Sequence, residues 1–168
     1  ANLWWDDDRV LNLLSHVEKV GLPLLFHVAS QERGQYGLID DRHLTKLEFV
    51  LKAFPNLQFI AHSMGIWSNI SGDASEENWM GYPSGPVTPG GRLMELLRTY
   101  DNLWGDFSAG SGNNALVRDK EFGFRFLEEF QDRRLFGTDI CGFGQEVDQV
   151  NTMNEALASG LLSQEGYD

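Results

Sequence analysis

Two spacings of hydrophobic residues alternate along the chain. Short apolar runs, which are typical of buried strands, occur at 22–28, 57–62, 103–106 and 134–139. Between these runs the apolar residues recur every three or four positions, as they do in a helix that buries one face. This spacing predicts helices over 6–20, 40–54, 91–100, 122–130 and 147–157. Strands of this kind, alternating with helices, predict a parallel sheet that helices cover.

The alternation is typical of an α/β fold and leaves two architectures open. One is an open, doubly wound sheet, and the other is part of a (β/α)₈ barrel. With 168 residues and 19.0 kDa, the chain is long enough for one domain, which is predicted over 1–168. The segment 63–90 is rich in Gly, Ser, Pro and Asn and is too long for a plain connection, which predicts a binding loop or lid.

Composition and charge exclude several classes of protein. The formal net charge is −12, with 13 basic against 25 acidic residues, so the chain lacks the positive surface that a nucleic acid requires. No apolar run reaches the roughly eighteen residues of a membrane-spanning helix, so no membrane partner is expected. The single cysteine, Cys141, excludes an internal disulfide, favours the reducing cytoplasm and is expected to be a packing residue. The expected partner is a small-molecule substrate, and a homo-oligomer stays open.

Ionisable residues stand at the ends of the predicted strands. His62, Asp106 and Asp139 each close an apolar run, and His27 lies one residue before the end of another. The carboxyl ends of parallel strands meet at one edge, where active sites of α/β proteins form. Two imidazoles and a carboxylate are ligand types that bind a divalent metal, with Zn²⁺ the first expectation.

Each of these residues also has a purely structural interpretation. A lone histidine at the end of an apolar strand is more often a hydrogen-bonded core residue than a ligand. Two in register, followed by an aspartate after Gly-Thr, favour a site. Asp106 either orients a ligand or caps the following turn, and Ser108 either contacts substrate or caps the loop. In the segment 63–90, three aromatic residues either line a pocket for a cyclic substrate or hold the loop down: Trp67, Trp79 and Tyr82.

Four segments, in this order, resemble the amidohydrolase superfamily: LPLLFH at 22–27, FPNLQFIAHS at 54–63, NLWGDFS at 102–108 and RLFGTD at 134–139. The branch they are most similar to is the amidohydrolase 2 group, which includes the aminocarboxymuconate-semialdehyde decarboxylase-like proteins. The resemblance implies a distorted (β/α)₈ barrel of which this chain supplies strands 5 to 8. It implies that His27 is a metal ligand or lies beside the metal, and that His62 binds metal or polarises the substrate carbonyl. Asp139 would be a metal ligand that also takes a proton from the metal-bound water.

The chain departs from this family in one respect that shapes the functional prediction. The His-x-His pair of the family's first strand is missing, so the chain is expected to be a barrel fragment, truncated at both ends. The predicted function, metal-dependent hydrolysis, therefore concerns the parent protein, and the fragment itself is expected to show little turnover. A metal-dependent non-oxidative decarboxylase of the same family is the first alternative, and a non-catalytic binding module or degenerate barrel is the second.

A serine hydrolase is a further alternative. Ala61-His-Ser-Met-Gly65 resembles the G-x-S-x-G nucleophile elbow, with Ser63 as the nucleophile. In that fold the catalytic histidine follows the serine in the chain. All four histidines of this sequence lie at or before position 62, which disfavours this alternative.

Overall fold

The computed structural model describes residues 2–32 and 37–168. Its strands are β1 (Leu24–Ala29), β2 (Leu38–Ile39), β3 (Phe59–His62), β4 (Leu103–Asp106) and β5 (Arg134–Leu135). Its α-helices are α1 (Asp8–Val20), α2 (Thr45–Ala53), α3 (Met64–Trp67), α4 (Arg92–Thr99), α5 (Ala109–Val117), α6 (Lys120–Glu129), α7 (Gln149–Ser159) and α8 (Gln164–Tyr167). A 3₁₀ turn, Ser68–Ile70, follows α3 directly.

The strands form a single parallel sheet in the order β2-β1-β3-β4-β5. The predicted α/β class, with parallel strands alternating with helices, is therefore confirmed. Four of the strands, β1, β3, β4 and β5, lie side by side in chain order, and the two-residue β2 pairs with the end of β1. Within the described ranges, no helix has both the length and the apolar character needed to cross a membrane.

The two faces of the sheet differ in burial. Phe26, Phe59 and Leu103 point to one face and are almost completely buried, in a core that also contains apolar side chains of α1, α2, α4 and α6. On the opposite face, Leu25 is 59% exposed and Ile60 and Trp104 are half-buried. Because successive strand residues point to opposite faces, the helices cover one face and the other stays open among the described residues.

Acidic side chains hold the starts of α1 and α2. The Asp7 carboxylate accepts a hydrogen bond from the Arg9 N–H at the start of α1. At α2 the side chain of Asp40 accepts from the N–H groups of Lys46 and Leu47. These carboxylates satisfy backbone donors that the first helical turn leaves without a partner.

Several predicted elements are wrong in extent. The strand predicted over 134–139 is only the two residues of β5, so Asp139 lies outside the sheet and is exposed. The segment 63–90, predicted as a loop, begins with α3 and the 3₁₀ turn. Neither β2 nor α5 was predicted. Most residues of α5 are Gly, Ser, Asn or other residues without a helical apolar spacing, and the helix is held by packing against α6 and α7.

Two side chains are more exposed than the sequence predicts. Val150 of α7, one of the apolar residues whose spacing predicts the helix over 147–157, is half-exposed, and the buried side chains of α7 include Gln149, Thr152 and Met153. Cys141 was predicted to pack in the interior but is exposed. Apolar spacing alone does not determine which stripe of a short helix meets the rest of the domain.

Candidate functional site

The carboxyl edge of the sheet brings together side chains from three strands. His27 of β1, His62 of β3 and Asp106 of β4 share the parity of Leu25 and Trp104, so they lie on the open face. The strand register pairs His27 with His62, and their ring centroids are 4.7 Å apart. Two imidazoles and a carboxylate thus meet at the edge where α/β proteins place their active sites.

The environment of His27 favours its neutral form. Burial lowers the pKa of His27 below its usual value, and the neighbouring His62 lowers it further. The negative charge of Asp139 acts in the opposite direction and raises the pKa of His27. A neutral imidazole has a free lone pair, which is the form that binds a metal.

A compact hydrogen-bond network surrounds His62. Its Nδ1 lies 3.0 Å from Asp106 Oδ2 and 3.2 Å from Ser108 Oγ. The Ser108 hydroxyl donates to Asp106 Oδ2 at 2.9 Å, and the Ser108 backbone N–H donates to Oδ1 at 2.9 Å. Burial alone would raise the pKa of Asp106, but the hydrogen bonds from His62 and Ser108 outweigh it and hold that pKa below its usual value.

This network is not the triad of a serine hydrolase. In a triad the hydroxyl and the carboxylate bond to different ring nitrogens, whereas Ser108 and Asp106 both face Nδ1 of His62. Ser63, the nucleophile of the elbow-like motif, is buried and accepts a hydrogen bond from the Val28 N–H at 3.2 Å. The geometry gives Ser63 a structural contact between β1 and β3.

Asp139 does not join the two histidines. It is exposed, and Gln145 fixes its backbone by donating from Nε2 to the Asp139 carbonyl at 2.9 Å. The part of the chain that the structure describes contains no group of three His, Cys, Asp or Glu side chains placed to hold a metal ion. The structure therefore brings two of the three predicted ligands, the imidazoles of His27 and His62, next to each other, and both fit a divalent ion in type. The third, Asp139, lies beyond the end of the sheet, near enough for its charge to act on His27. The reason is the short β5, which ends before Asp139.

Backbone strain is concentrated at the same edge. Of the five non-glycine residues with positive φ in the described ranges, three directly follow strands or lie just beyond them: Ser63 at 142°, Ala109 at 61° and Asp139 at 52°. Such conformations cost of order 1–3 kcal/mol each and accumulate at active sites and ligand clamps. Their position supports a functional edge at the carboxyl ends of β3, β4 and β5.

The segment 72–90 forms a closed loop beside the site. Its two ends meet where the Gly72 N–H donates to the Thr88 carbonyl at 2.8 Å. Arg118, at the end of α5, donates from Nε to the Gly85 carbonyl at 2.9 Å. The side chain of Arg118 is only 1% exposed. Sequence analysis did not single out Arg118, since a charged residue at a helix end gives no signal that it is buried.

The aromatic residues of this region divide into two kinds. Trp67 and Trp79 are buried and pack the loop onto the domain. Tyr82 is 56% exposed, and its ring lies against Gly110, two residues after Ser108. Of the three, only Tyr82 is therefore placed to meet a ligand that approaches the site.

Comparison with known proteins adds no relative. No protein-family model, no curated protein and no solved structure matches this chain. The candidate site is therefore interpreted from its own residues and geometry.

Proposed function

We propose that this chain carries part of a metal-dependent hydrolase site, built on the C-terminal half of a (β/α)₈-type barrel. The observation that carries the proposal is the pair formed by His27 and His62. They occupy register positions on adjacent parallel strands, at the carboxyl edge, with ring centroids 4.7 Å apart. Paired imidazoles at this edge are suited to Zn²⁺ or a similar divalent ion.

The strand order supports a barrel-type arrangement over a doubly wound sheet. A doubly wound sheet reverses its strand order at a switch point and carries helices on both faces. Here β1, β3, β4 and β5 follow chain order, and one face remains open. The full order β2-β1-β3-β4-β5 reverses at β1, but β2 has only two residues and pairs with only the last two residues of β1. In a barrel the open face, with His27 and His62 at its upper end, would face the interior.

Each residue of the proposed site would have its own role in the reaction. A bound divalent ion supplies Lewis-acid activation of water and of a substrate carbonyl. His27, kept neutral by its lowered pKa, and His62 would hold the ion through ring nitrogens. Asp139 would take a proton onto its carboxylate from the attacking water, once its side chain turns toward the two imidazoles. The exposed ring of Tyr82 would contact the substrate beside the start of α5.

Zinc titration of the purified chain by calorimetry tests this proposal. Wild type is expected to bind one ion, and His27→Ala and His62→Ala are expected to weaken binding by at least about 100-fold, since even residues behind a ligand contribute 10- to 100-fold. Asp139→Ala should weaken binding as well. His16→Ala removes an exposed histidine of α1 and serves as the matched control. Absence of zinc binding by wild type, or an equal loss in His16→Ala, would contradict the proposal.

A further inference from the structure

The geometry points to Asp106 and Ser108 as positioning residues that fix the tautomer of His62. They keep the ring proton on Nδ1, so that Nε2 carries the lone pair. The use of that lone pair by a metal rests on the proposed function. The tautomer itself follows from hydrogen bonds within the chain.

The Asp106 carboxylate is surrounded by hydrogen-bond donors. Ser108 donates twice to it, from the backbone N–H to Oδ1 and from the hydroxyl to Oδ2, both at 2.9 Å. A carboxylate can only accept hydrogen bonds. Because His62 Nδ1 lies 3.0 Å from Oδ2, that nitrogen must carry a proton to avoid facing a negative oxygen with its own lone pair. Nδ1 is therefore the donor in this pair.

Burial removes the competition from water. His62 and Ser108 are 6% and 4% exposed, so solvent offers little alternative to the bonds within the network. A buried hydrogen bond to a charged acceptor is stronger than one between neutral groups. This preference is enough to leave one tautomer of the neutral ring dominant.

Two neighbouring residues support this arrangement. The indole N–H of Trp67 donates to the Asp106 backbone carbonyl at 2.9 Å. Gly137 lies next to Ser108, where an added Cβ would be 3.0 Å from the Ser108 Cβ. The absence of a side chain at Gly137 thus leaves room for the Ser108 hydroxyl to reach the carboxylate.

The substitution Asp106→Asn is expected to move the ring proton of His62 from Nδ1 to Nε2. The Ser108 N–H holds the amide oxygen in the place of Oδ1, which puts the amide NH₂ in the place of Oδ2. This group is a donor, so His62 Nδ1 must now accept, and the proton moves to Nε2. Since second-sphere partners of a ligating histidine are worth 10- to 100-fold in metal affinity, zinc binding should weaken by about that factor.

The tautomer can be measured directly by ¹⁵N NMR of the metal-free chain. Long-range ¹H–¹⁵N correlations distinguish protonated from unprotonated ring nitrogens at about pH 8, above the usual imidazole pKa of about 6.5. Only four histidines contribute, and His62→Gln identifies the signal of interest. Asp101→Asn makes the same chemical change at a fully exposed aspartate just before β4 and is the matched control.

Wild type is expected to show the proton of His62 on Nδ1, Asp106→Asn on Nε2, and Asp101→Asn on Nδ1. A wild-type ring with its proton on Nε2 would overturn the inference, and this result does not depend on whether Asp106→Asn folds. A ring that keeps its proton on Nδ1 in folded Asp106→Asn would overturn it too. Zinc titration of the same samples separates the two proposals: the expected tautomers without zinc binding would refute only the metal site, and zinc binding with unchanged tautomers would refute only the positioning role.

Discussion

Arg118 provides a sharp test of how the loop beside the site is held. Its Nε donates to the Gly85 carbonyl at 2.9 Å, whereas Nη2 makes longer contacts: 3.3 and 3.4 Å with the carbonyls of Ser84 and Pro86, and 3.4 Å with the half-exposed carboxylate of Asp73. Its Nη1 is buried without a hydrogen-bond partner among the described residues. Arg118→Met keeps most of the length and apolar packing of the side chain and removes the guanidinium.

The expected magnitude follows from these contacts. A hydrogen bond from a charged donor contributes about 1.5–3 kcal/mol, and the longer contacts add little because hydrogen bonds weaken with distance. Loss of the unpartnered Nη1 relieves a desolvation penalty and offsets part of the cost. We therefore expect a net loss of about 2 kcal/mol in the free energy that closes the 72–90 loop, which corresponds to about a 30-fold change in its opening equilibrium.

Amide hydrogen exchange measures this opening. Three amides close the loop: the N–H of Gly72 donates to Thr88, that of Thr88 to the Ser71 hydroxyl, and that of Val87 to Asp119. Their exchange should accelerate by about 30-fold in Arg118→Met, whereas amides of β3 should keep their protection.

Arg125→Met is the matched control, since Arg125 lies on α6 with an exposed side chain paired to Glu121. Exposed ion pairs contribute about 0–1 kcal/mol, so its effect on these amides should be small. Acceleration below about threefold in Arg118→Met, or an equal effect in Arg125→Met, would refute the reasoning that a buried charged clamp holds the loop.

Two further predictions concern stability. Ser63→Ala removes the acceptor of the buried Val28 N–H and should lower the free energy of unfolding by about 1–3 kcal/mol in urea titrations; an unchanged midpoint would show that this contact contributes nothing. Burial raises the pKa of Asp40 to about 7 from 3.8, against backbone hydrogen bonds that lower it. The folded-state pKa of Asp40 is higher than the unfolded-state pKa, so the folded state favours the protonated carboxyl. The contribution of Asp40 to the free energy of unfolding is therefore fully present below about pH 4. It is lost as the pH rises through about 7, by at most about 4 kcal/mol. Asp40→Asn should flatten this pH dependence and the exposed Asp101→Asn should not; identical slopes in both variants would refute the assignment.

The sequence predicted the parts of the fold that local pattern determines. His62 and Asp106 end strands as expected, because an apolar run that stops at a polar residue marks the point where a buried strand reaches the solvent edge. The coarse α/β class followed from the alternation of strands and helices.

What the sequence did not predict depends on distant partners. The run 134–139 has strand character, yet only Arg134 and Leu135 pair with β4, so the position of Asp139 was not readable from local pattern. The bonds from His62 to Asp106 and to Ser108 connect positions about 45 residues apart and depend on strand register. For Asp106 the two predicted alternatives, capping and orienting, occur together: Oδ1 accepts from the Ser108 N–H in the following turn, and Oδ2 faces His62 Nδ1. Ser108 makes no side-chain cap at the start of α5, and its hydroxyl contacts Asp106 and His62 instead.

The chain order of the strands has a consequence for synthesis on the ribosome. Each of β3, β4 and β5 pairs with the strand that precedes it in the sheet, across about 30 to 45 residues of chain. Closing loops of this length adds little entropic cost beyond that of shorter ones. A nascent chain can therefore complete each β–α–β unit as soon as its second strand leaves the exit tunnel, without waiting for residues still to be made. His27 and His62 would then be adjacent before the ribosome has translated Asp139.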